Sequence, residues 1–414
     1  MVDHNRSTNG EQAAKRKSYR NSDPPPSPPE AWQVPRLDWD RPPWNRWSFQ
    51  NMQKILPTAP IRRGDETSPL PEARGSLDAF GYRGAEGLPT TFAQMLEETY
   101  TDAMYVWKDG KCLHESYHNG MTPQSLHLLQ SVSKSITATA AACLFADQIL
   151  DPFAPITEYL PELTDTAWNG ATVQHVLDMT SGVTFDETYE SHDSDVGKMD
   201  FAAGWKPAPV GQDVTSWPTC IWDQILSLTT TEAAHGERFS YRSIETEVLA
   251  HAMERVTAQR LPDIISDRLW KPLGCEEDAN ITVDPTGYGL ACGGISVTLR
   301  DLARFARALV GDGRAQGRRV IPRAWISDIR RGTHGLFDDE SRHDFPKGCY
   351  RNQFWIEDVR SERHLCLGVF GQLVYISPET NFVAVKLSSW PSFTDTQLFK
   401  RTQAALHAIE IEFS

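Results

Sequence analysis

The chain has 414 residues, of which 40% are hydrophobic and 10% aromatic, as in a globular protein built as one large α/β unit or as two domains. Its net charge of −14, with no basic run longer than Lys15-Arg16-Lys17, argues against a nucleic-acid partner, and no window approaches the ~18 apolar residues of a membrane span. The polar N-terminus lacks the apolar core of a secretory signal, and the 7 cysteines form no C-x-x-C pair, so we expect a cytoplasmic protein with free thiols.

The first part of the chain is predicted to be an arm. Residues 1–43 are polar and rich in proline, which predicts a disordered or extended segment. Several tryptophans lie between Trp32 and Phe49, and we expect this aromatic, proline-broken stretch to lie along the domain surface. Regular structure should begin near Phe92.

Two predicted strands contain a pattern that resembles a metal site. Tyr105–Trp107 and Lys111–Tyr117 alternate as strands do, and Asp109-Gly110 between them is a strong hairpin signal. The second strand runs into the sequence H-E-x-x-H, with His114 and His118 at the spacing found in zinc proteases. On a helix these side chains share a face, but in a strand the same spacing separates them by roughly 13 Å. We therefore predict a hairpin here, and a zinc peptidase is the weakest of the alternatives.

A serine and a lysine stand where a long apolar helix should begin. The helix is predicted from Ser133 to about Ile149, which places Ser131 at its N-terminus, where unpaired N–H groups favour a developing anion. Lys134 follows one helical turn later on the same face, so its amine can reach the Ser131 hydroxyl. A lysine accepts the serine proton only when neutral, which requires burial or a nearby cation to lower its pKa.

The remaining elements follow from apolar spacing and turn residues. Short helices are expected within 155–163 and 172–179, then a long irregular region from Phe185 to about Val214 of the kind that often forms a lid. Tyr241 precedes the next predicted helix. Later elements are helices at 244–256, 298–309 and 394–411, and strands at 365–375 and 382–387.

Three separated segments carry a family resemblance. They are Ser131-Val132-Ser133-Lys134, Tyr241-Arg242-Ser243 and Gly368-Val369-Phe370-Gly371-Gln372. In order and spacing they resemble the serine β-lactamase and penicillin-recognising superfamily, particularly its class C and esterase branch. Further matches to the nylon-oligomer amidases of that superfamily extend from about Trp44 to the C-terminal helix.

The resemblance implies a set of catalytic roles. Ser131 would be the nucleophile that forms an acyl-enzyme, and Lys134 and Tyr241 would share general base and acid duty. The backbone N–H groups of Ser131 and Val369 would form the oxyanion hole.

The resemblance also implies a set of substrate-binding residues. In nylon-oligomer amidases the matching tyrosine contacts the scissile amide and moves with the lid, the matching aspartate receives the substrate's ammonium group, and aromatic residues line the pocket. Packing alone is the alternative for the two tryptophans, solvation for the aspartate, and a β-bulge for the glycine. The predicted set is Tyr189, Asp200, Trp205, Cys292, Trp355 and Gly368.

Two departures from family patterns bear on the substrate. The third segment has no Lys-Thr-Gly or His-x-Gly, so the cation with which many β-lactamases hold a carboxylate is missing, which disfavours penicillin hydrolysis. Cys292 stands where the nylon-oligomer enzymes have Asn or His, and a thiol makes the pocket drier and changes its hydrogen bonding.

The expected fold is α/β and serine β-lactamase-like, an antiparallel sheet flanked by helices. Residues 44–150 and 298–414 should form it, with a mostly helical subdomain, 151–297, carrying the substrate loop.

The expected activity is hydrolysis of small linear amides, such as 6-aminohexanoate oligomers, and of carboxyl esters, without a metal or organic cofactor. An esterase or acyltransferase of the same fold and a non-catalytic ligand-binding member are the alternatives. The small-molecule substrate is the expected partner, and a homodimer is left open.

Overall fold

The computed structural model describes residues 33–73, 75–331, 337 and 339–414. Its strands are mostly short and antiparallel. They are β1 (Thr58–Ile61), β2 (Gly81–Arg83), β3 (Pro89–Thr91), β4 (Thr101–Lys108), β5 (Lys111–Tyr117), β6 (His127–Leu128), β7 (Ala279–Thr282), β8 (Ile295–Val297), β9 (Arg314–Ala315), β10 (Arg318–Arg319), β11 (Cys349–Arg351), β12 (Phe354–Asp358), β13 (Arg363–Gly368), β14 (Gln372–Ser377) and β15 (Phe382–Ser388).

The helices range from single turns to elements of more than four turns. They are α1 (Asn45–Ser48), α2 (Met52–Ile55), α3 (Phe92–Glu98), α4 (Val132–Ala146), α5 (Ile156–Tyr159), α6 (Val173–Leu177), α7 (Asp195–Ala202), α8 (Ile221–Ser227), α9 (Ser243–Thr257), α10 (Leu261–Ile265), α11 (Lys271–Leu273), α12 (Leu299–Val310), α13 (Arg323–Arg330), α14 (Asp339–Asp344) and α15 (Thr396–Glu412). Among the described residues, none of the helices combines the length and the apolar character needed to cross a membrane.

A seven-stranded antiparallel sheet lies at the centre of the fold. Its strand order is β11-β12-β13-β14-β15-β4-β5, so β4 from the first part of the chain pairs with β15 near the end. The hairpin predicted between β4 and β5 is confirmed, and both Asp109 and Gly110 adopt positive φ at its turn. Helices cover both faces, which confirms the predicted α/β fold built from both ends of the chain.

The alternation of side chains along β4 divides the core into two layers. Tyr105 belongs to the larger core, together with Ile136 of α4 and Leu302 of α12. Its neighbour Val106 points to the other face and belongs to a second core with Leu406 of α15. Because both faces of the sheet are buried, β4 has no exposed residue, and the start of α4 is held against the sheet.

A smaller antiparallel sheet lies beside the first, in the order β1-β7-β8-β6. Residues 151–297 contain the helices α5 to α11 joined by long loops, and they also contribute β7 and β8, which pair with β1 and β6 from the preceding part of the chain. The division into an α/β domain and a helical subdomain stays a prediction.

Two sequence-based expectations are wrong in detail. The region from Phe185 to Val214 is not wholly irregular, because Ser194 caps the helix α7 by accepting a hydrogen bond from Gly197 N–H. The single strand expected at 365–375 is two strands, β13 and β14, which a turn at Val369–Gly371 separates. Phe370 and Gly371 have φ values of 63° and 88° in that turn, which reverses the chain.

The described part of the aromatic N-terminal stretch lies against the protein with some residues exposed and Trp39 buried. Residues 1–32 of the predicted arm are outside the described residues, but residues 33–43 form turns that pack into the protein. Trp39 is fully buried against Phe49 and Trp205. Burial of large aromatic side chains outweighs the proline-rich character of this stretch.

Candidate active site

Ser131 stands immediately before α4, as predicted. It is the N-cap residue of that helix, and its hydroxyl does not cap the helix and so is free for other contacts. The preceding residue, Gln130, has a φ of 50°, which turns the chain sharply into the helix. Gly368 at the end of β13 lies close behind this turn, because a Cβ there would come within 2.6 Å of the Leu129 carbonyl oxygen.

Lys134 is buried and contacts Ser131 directly. Its Nζ is 2.8 Å from Ser131 Oγ, 3.1 Å from Ser243 Oγ and 3.0 Å from the carbonyl oxygen of Cys292. The predicted Ser131–Lys134 contact across one helical turn is therefore present in the structure.

The pKa of Lys134 shifts in the direction opposite to the one that helps a general base. Burial lowers the pKa of its ammonium group, but Tyr241, Cys292 and Glu187 together raise that pKa, and the net direction is upward. Of these three groups, Glu187 is the carboxylate. A lysine that its neighbours favour as a cation must lose a proton before its amine can act as a base.

Tyr241 completes the predicted trio. Its ring lies 5.1 Å from Lys134 Nζ and stacks on Trp355, with ring centroids 5.6 Å apart. Burial raises the pKa of its phenol, while the Lys134 charge and hydrogen bonding to Ser131 and Lys134 oppose part of that rise. The phenol is therefore protonated at neutral pH and coupled to both other members of the trio.

Glu187 and Ser243 were not found by sequence reasoning. Glu187 accepts hydrogen bonds from the backbone N–H and the hydroxyl of Ser243, at 2.8 Å and 2.5 Å, and so binds the N-terminus of α9. It also accepts from the hydroxyl of Tyr189 at 2.8 Å. A chain of hydrogen bonds thus joins Lys134, Ser243, Glu187 and Tyr189.

Cys292 lines the site through its backbone as well as its thiol. Its carbonyl oxygen accepts from Lys134, and its N–H donates to Glu247 at 2.7 Å. Burial, reinforced by Glu247, raises the pKa of the thiol well above its usual value, so the thiol is neutral and a poor nucleophile. Burial also raises the pKa of Glu247 to about 7.

A small cavity of about 50 Å³ opens onto Ser131. Leu290 and Phe393 contribute apolar walls, and Tyr189 packs on Phe393 with ring centroids 5.3 Å apart. Trp355 lies behind Tyr241 and Gly368 behind the Leu129–Gln130 turn, so neither reaches the cavity directly. The predicted residues that share the cavity are Ser131, Lys134, Tyr189, Asp200, Trp205, Cys292 and Val369.

The part of the cavity lined by Asp200, named the far end below, is charged. Asp200 lies at its rim with 29% of the side chain exposed, and Lys206 forms an ion pair with it at 3.3 Å. Burial raises the pKa of Asp200, and Lys206 opposes this rise. Trp205 donates from its indole nitrogen to Thr282 at 2.9 Å, which fixes its ring in the cavity wall.

The H-E-x-x-H pattern lies in β5 and the residue that follows it. His114 and His118 both hydrogen-bond Ser116, at 2.8 Å and 3.1 Å, and the strand prediction is confirmed. A larger cavity of about 690 Å³ is lined by Arg46 and Lys54 of the N-terminal region, and Ser131, Lys134 and Tyr241 do not line it.

The similarity of this chain to known proteins agrees with the geometry. A β-lactamase family model matches residues 89–409. The chain belongs to the β-lactamase family. A 6-aminohexanoate-dimer hydrolase of Paenarthrobacter ureafaciens is 37% identical to this chain over 375 residues, which cover 90% of this chain and 92% of that protein. The resemblance to the nylon-oligomer amidases is confirmed, and this β-lactamase-family protein is a serine hydrolase.

Solved structures extend the comparison. A proposed 6-aminohexanoate-dimer hydrolase from Bacillus anthracis aligns with a TM-score of 0.84 at 26% identity, covering 94% of this chain and 98% of that one. A hydrolase with promiscuous acyltransferase activity, EstCE1, aligns with a TM-score of 0.56 at 15% identity, covering 75% and 98%. The second likeness shows the fold alone.

Proposed function

We propose that this protein hydrolyses short linear amides of the 6-aminohexanoate-oligomer type, and carboxyl esters, through an acyl-enzyme on Ser131. The observation that carries this proposal is the 2.8 Å contact between Lys134 Nζ and Ser131 Oγ at the start of a helix, in the cavity that also contains Asp200. The identity of 37% to a 6-aminohexanoate-dimer hydrolase supports the choice of substrate class.

In the acylation step, Ser131 Oγ bonds to the acyl carbon and the carbon–nitrogen bond breaks. For this step the Lys134–Tyr241 pair must already have lost one proton. The pair then accepts the serine proton and passes it to the leaving amine. In deacylation a water oxygen bonds to the acyl carbon, the ester bond to Oγ breaks, and the proton returns to Oγ through the same pair. An alcohol in place of water would give acyl transfer.

The charge on the tetrahedral intermediate would be held by backbone N–H groups. Ser131 offers its N–H at the start of α4, and Val369 offers one at the turn between β13 and β14. Both residues line the cavity. Loss of one such donor in other serine hydrolases costs about 10²- to 10³-fold in rate.

Substrate orientation would follow from the polar groups at each end of the cavity. Burial raises the pKa of Tyr189 well above its usual value, so its hydroxyl stays protonated and donates to Glu187, and its oxygen would accept from the N–H of the scissile amide. Asp200 would receive the substrate's ammonium group at the other end. A cavity of about 50 Å³ is too small for a whole dimer, so the segment that carries Tyr189 must move for substrate to enter.

Intact-protein mass spectrometry tests this function. The protein is mixed with p-nitrophenyl acetate and, separately, with the linear 6-aminohexanoate dimer, and the Ser131→Ala variant is run beside it. A transient acyl adduct that Ser131→Ala lacks, with turnover of both compounds, is the expected result. Turnover of the ester alone would indicate the esterase of the same fold. The absence of any adduct would favour a non-catalytic ligand-binding protein.

A further inference from the structure

A second carboxylate reaches the far end of the catalytic cavity. Asp40 is only 4% exposed and lines the same cavity as Ser131 and Asp200. Its Oδ2 accepts from Lys206 Nζ at 2.8 Å, whereas its Oδ1 is buried and has no hydrogen-bond partner among the residues that the structure describes. A buried acceptor without a donor is unfavourable, and this oxygen therefore marks a place where a donor can bind.

The position of Asp40 is set by contacts on both sides of it. The indole nitrogen of Trp39 donates to the carbonyl oxygen of Trp205 at 3.0 Å, and the two rings meet edge to face with centroids 5.2 Å apart. Arg36 donates to the carbonyl oxygen of Gly204 at 3.1 Å. The N-terminal segment is thus docked on the loop that follows α7, and Asp40 belongs to the cavity wall.

Charged groups of both signs surround this end. Asp40 and Asp200 are two carboxylates on either side of one ammonium group, that of Lys206, at 2.8 Å and 3.3 Å. The nearby guanidinium of Arg41 lies over the Phe393 ring, 4.0 Å from its centroid. Two carboxylates thus stand near two cations, and Asp40 Oδ1 is a buried acceptor to which neither cation donates a hydrogen bond.

We propose that Asp40 and Asp200 together bind the primary ammonium group of the substrate, and that Asp40 is a specificity-determining residue supplied by the N-terminal segment. This rests on the proposed function, because the ammonium group belongs to the amide substrate. An alkylammonium group has three N–H donors, one of which Asp40 Oδ1 can accept while the Asp200 carboxylate accepts another. Val196 and Met199 line the cavity beside these carboxylates and suit the methylene chain.

Selectivity between charged and neutral substrates tests the proposal. We would measure kcat/KM for the linear 6-aminohexanoate dimer and for its N-acetylated form, which lacks the ammonium group, in the parent and in Asp40→Asn. The exposed Asp38 in the same segment provides the matched control, Asp38→Asn. The preference for the charged dimer is expected to fall about 10- to 100-fold in Asp40→Asn, as for loss of a hydrogen bond to a charged group, and to stay unchanged in Asp38→Asn. A preference in folded Asp40→Asn within about twofold of the parent would overturn the proposal.

Binding without turnover separates this proposal from the proposed function. In the Ser131→Ala background, n-hexylammonium is titrated calorimetrically against n-hexanol, with and without Asp40→Asn. Weaker hexylammonium binding on loss of Asp40 supports the site even if the parent enzyme cleaves no amide, which would refute only the proposed function. Turnover of the dimer with no effect of Asp40→Asn on either readout would refute only the site.

A second variant keeps the test open if Asp40→Asn does not fold. Lys206→Gln removes the cation between the carboxylates and is expected to tighten hexylammonium binding, because the cluster becomes more negative. Weaker binding by Lys206→Gln that thermal denaturation shows to be folded would overturn the proposal.

Discussion

Substitution of Gly368 by alanine should impair the chemistry without touching a catalytic side chain. The residue ends β13 with extended backbone angles, so its conformation does not require glycine. The lack of space does require glycine, because a Cβ would lie 2.6 Å from the Leu129 carbonyl oxygen and 3.2 Å from Gln130 Cβ. Leu129 and Gln130 lead into the nucleophile Ser131, and Val369, the proposed oxyanion donor, follows Gly368.

The size of the effect follows from that distance. Cβ atoms essentially never approach a heavy atom closer than 3.0 Å, so the two backbone segments must separate by at least 0.4 Å, the difference between 3.0 and 2.6 Å. Catalytic groups need placement within about 0.5 Å, and a displacement of about 1 Å costs roughly 10²-fold in rate. We expect kcat of Gly368→Ala to fall by about 10- to 100-fold with a smaller change in KM, since the oxyanion donor acts mainly in the transition state.

The assay is acylation by p-nitrophenyl acetate in the first turnover, followed by steady-state kcat and KM. Gly81→Ala is the matched control, because this exposed strand glycine has open space around its Cβ direction, with the nearest atom 3.9 Å away. Thermal denaturation establishes that both variants are folded. Acylation by Gly368→Ala at the parent rate, in a protein of parent stability, would refute the argument that this close approach positions the oxyanion donor.

Three further predictions concern ionisable groups. Because Glu187 raises the pKa of Lys134, Glu187→Gln should move the rising limb of the kcat/KM profile to lower pH, and a limb that stays in place in the folded variant would count against it. Burial raises the pKa of Glu247 from 4.5 to about 7, so between these pH values the folded protein retains a proton that the unfolded chain loses. The contribution of Glu247 to the free energy of unfolding therefore falls by about 3 kcal/mol as pH rises through this window. Glu247→Gln should therefore gain stability relative to the parent over that range in urea denaturation, and a constant difference would contradict this. The raised pKa of Cys292 predicts that iodoacetamide at about pH 8 leaves activity intact, and mass spectrometry showing inactivation by alkylation of Cys292 would refute it.

Local patterns allowed prediction of the Ser131–Lys134 contact from sequence. Ser131 and Lys134 are one helical turn apart, and helical geometry alone brings their side chains together once α4 forms. The β4–β5 hairpin follows from the same kind of local signal, an Asp-Gly turn between two alternating segments. In both cases the partners are close in sequence, and the backbone geometry decides the contact.

The turn between β13 and β14 could not be predicted in this way. Apolar residues continue across it, which favours a single strand. The reversal depends on Gly371, where a Cβ would lie 2.2 Å from the Trp390 indole, and on Phe370, whose N–H donates to the Phe393 carbonyl oxygen at 2.7 Å. These contacts come from chain segments about twenty residues away and leave no local pattern.

Residues that set the charge of the site were also beyond sequence reasoning. Glu187 and Asp40 lie in loops where acidic side chains are usually solvated, and nothing periodic distinguishes them from their neighbours. Only the folded chain places Glu187 on Ser243 and Asp40 on Lys206. The capping residue Ser194 is different, because a serine before a short apolar repeat is a helix-start signal that could have identified α7.

The two ends of the cavity carry different polar groups, and this difference separates chemistry from selectivity. At the reacting end, one ammonium, that of Lys134, is joined through Ser243 to one carboxylate, that of Glu187. At the far end, Lys206 lies between Asp40 and Asp200, and Asp40 Oδ1 has no hydrogen-bond partner among the described residues. A neutral ester can acylate Ser131 while leaving that oxygen without a donor, whereas a substrate with an ammonium group supplies one. Substitutions at the far end should therefore change which substrates are preferred more than they change how fast a bound acyl group is transferred.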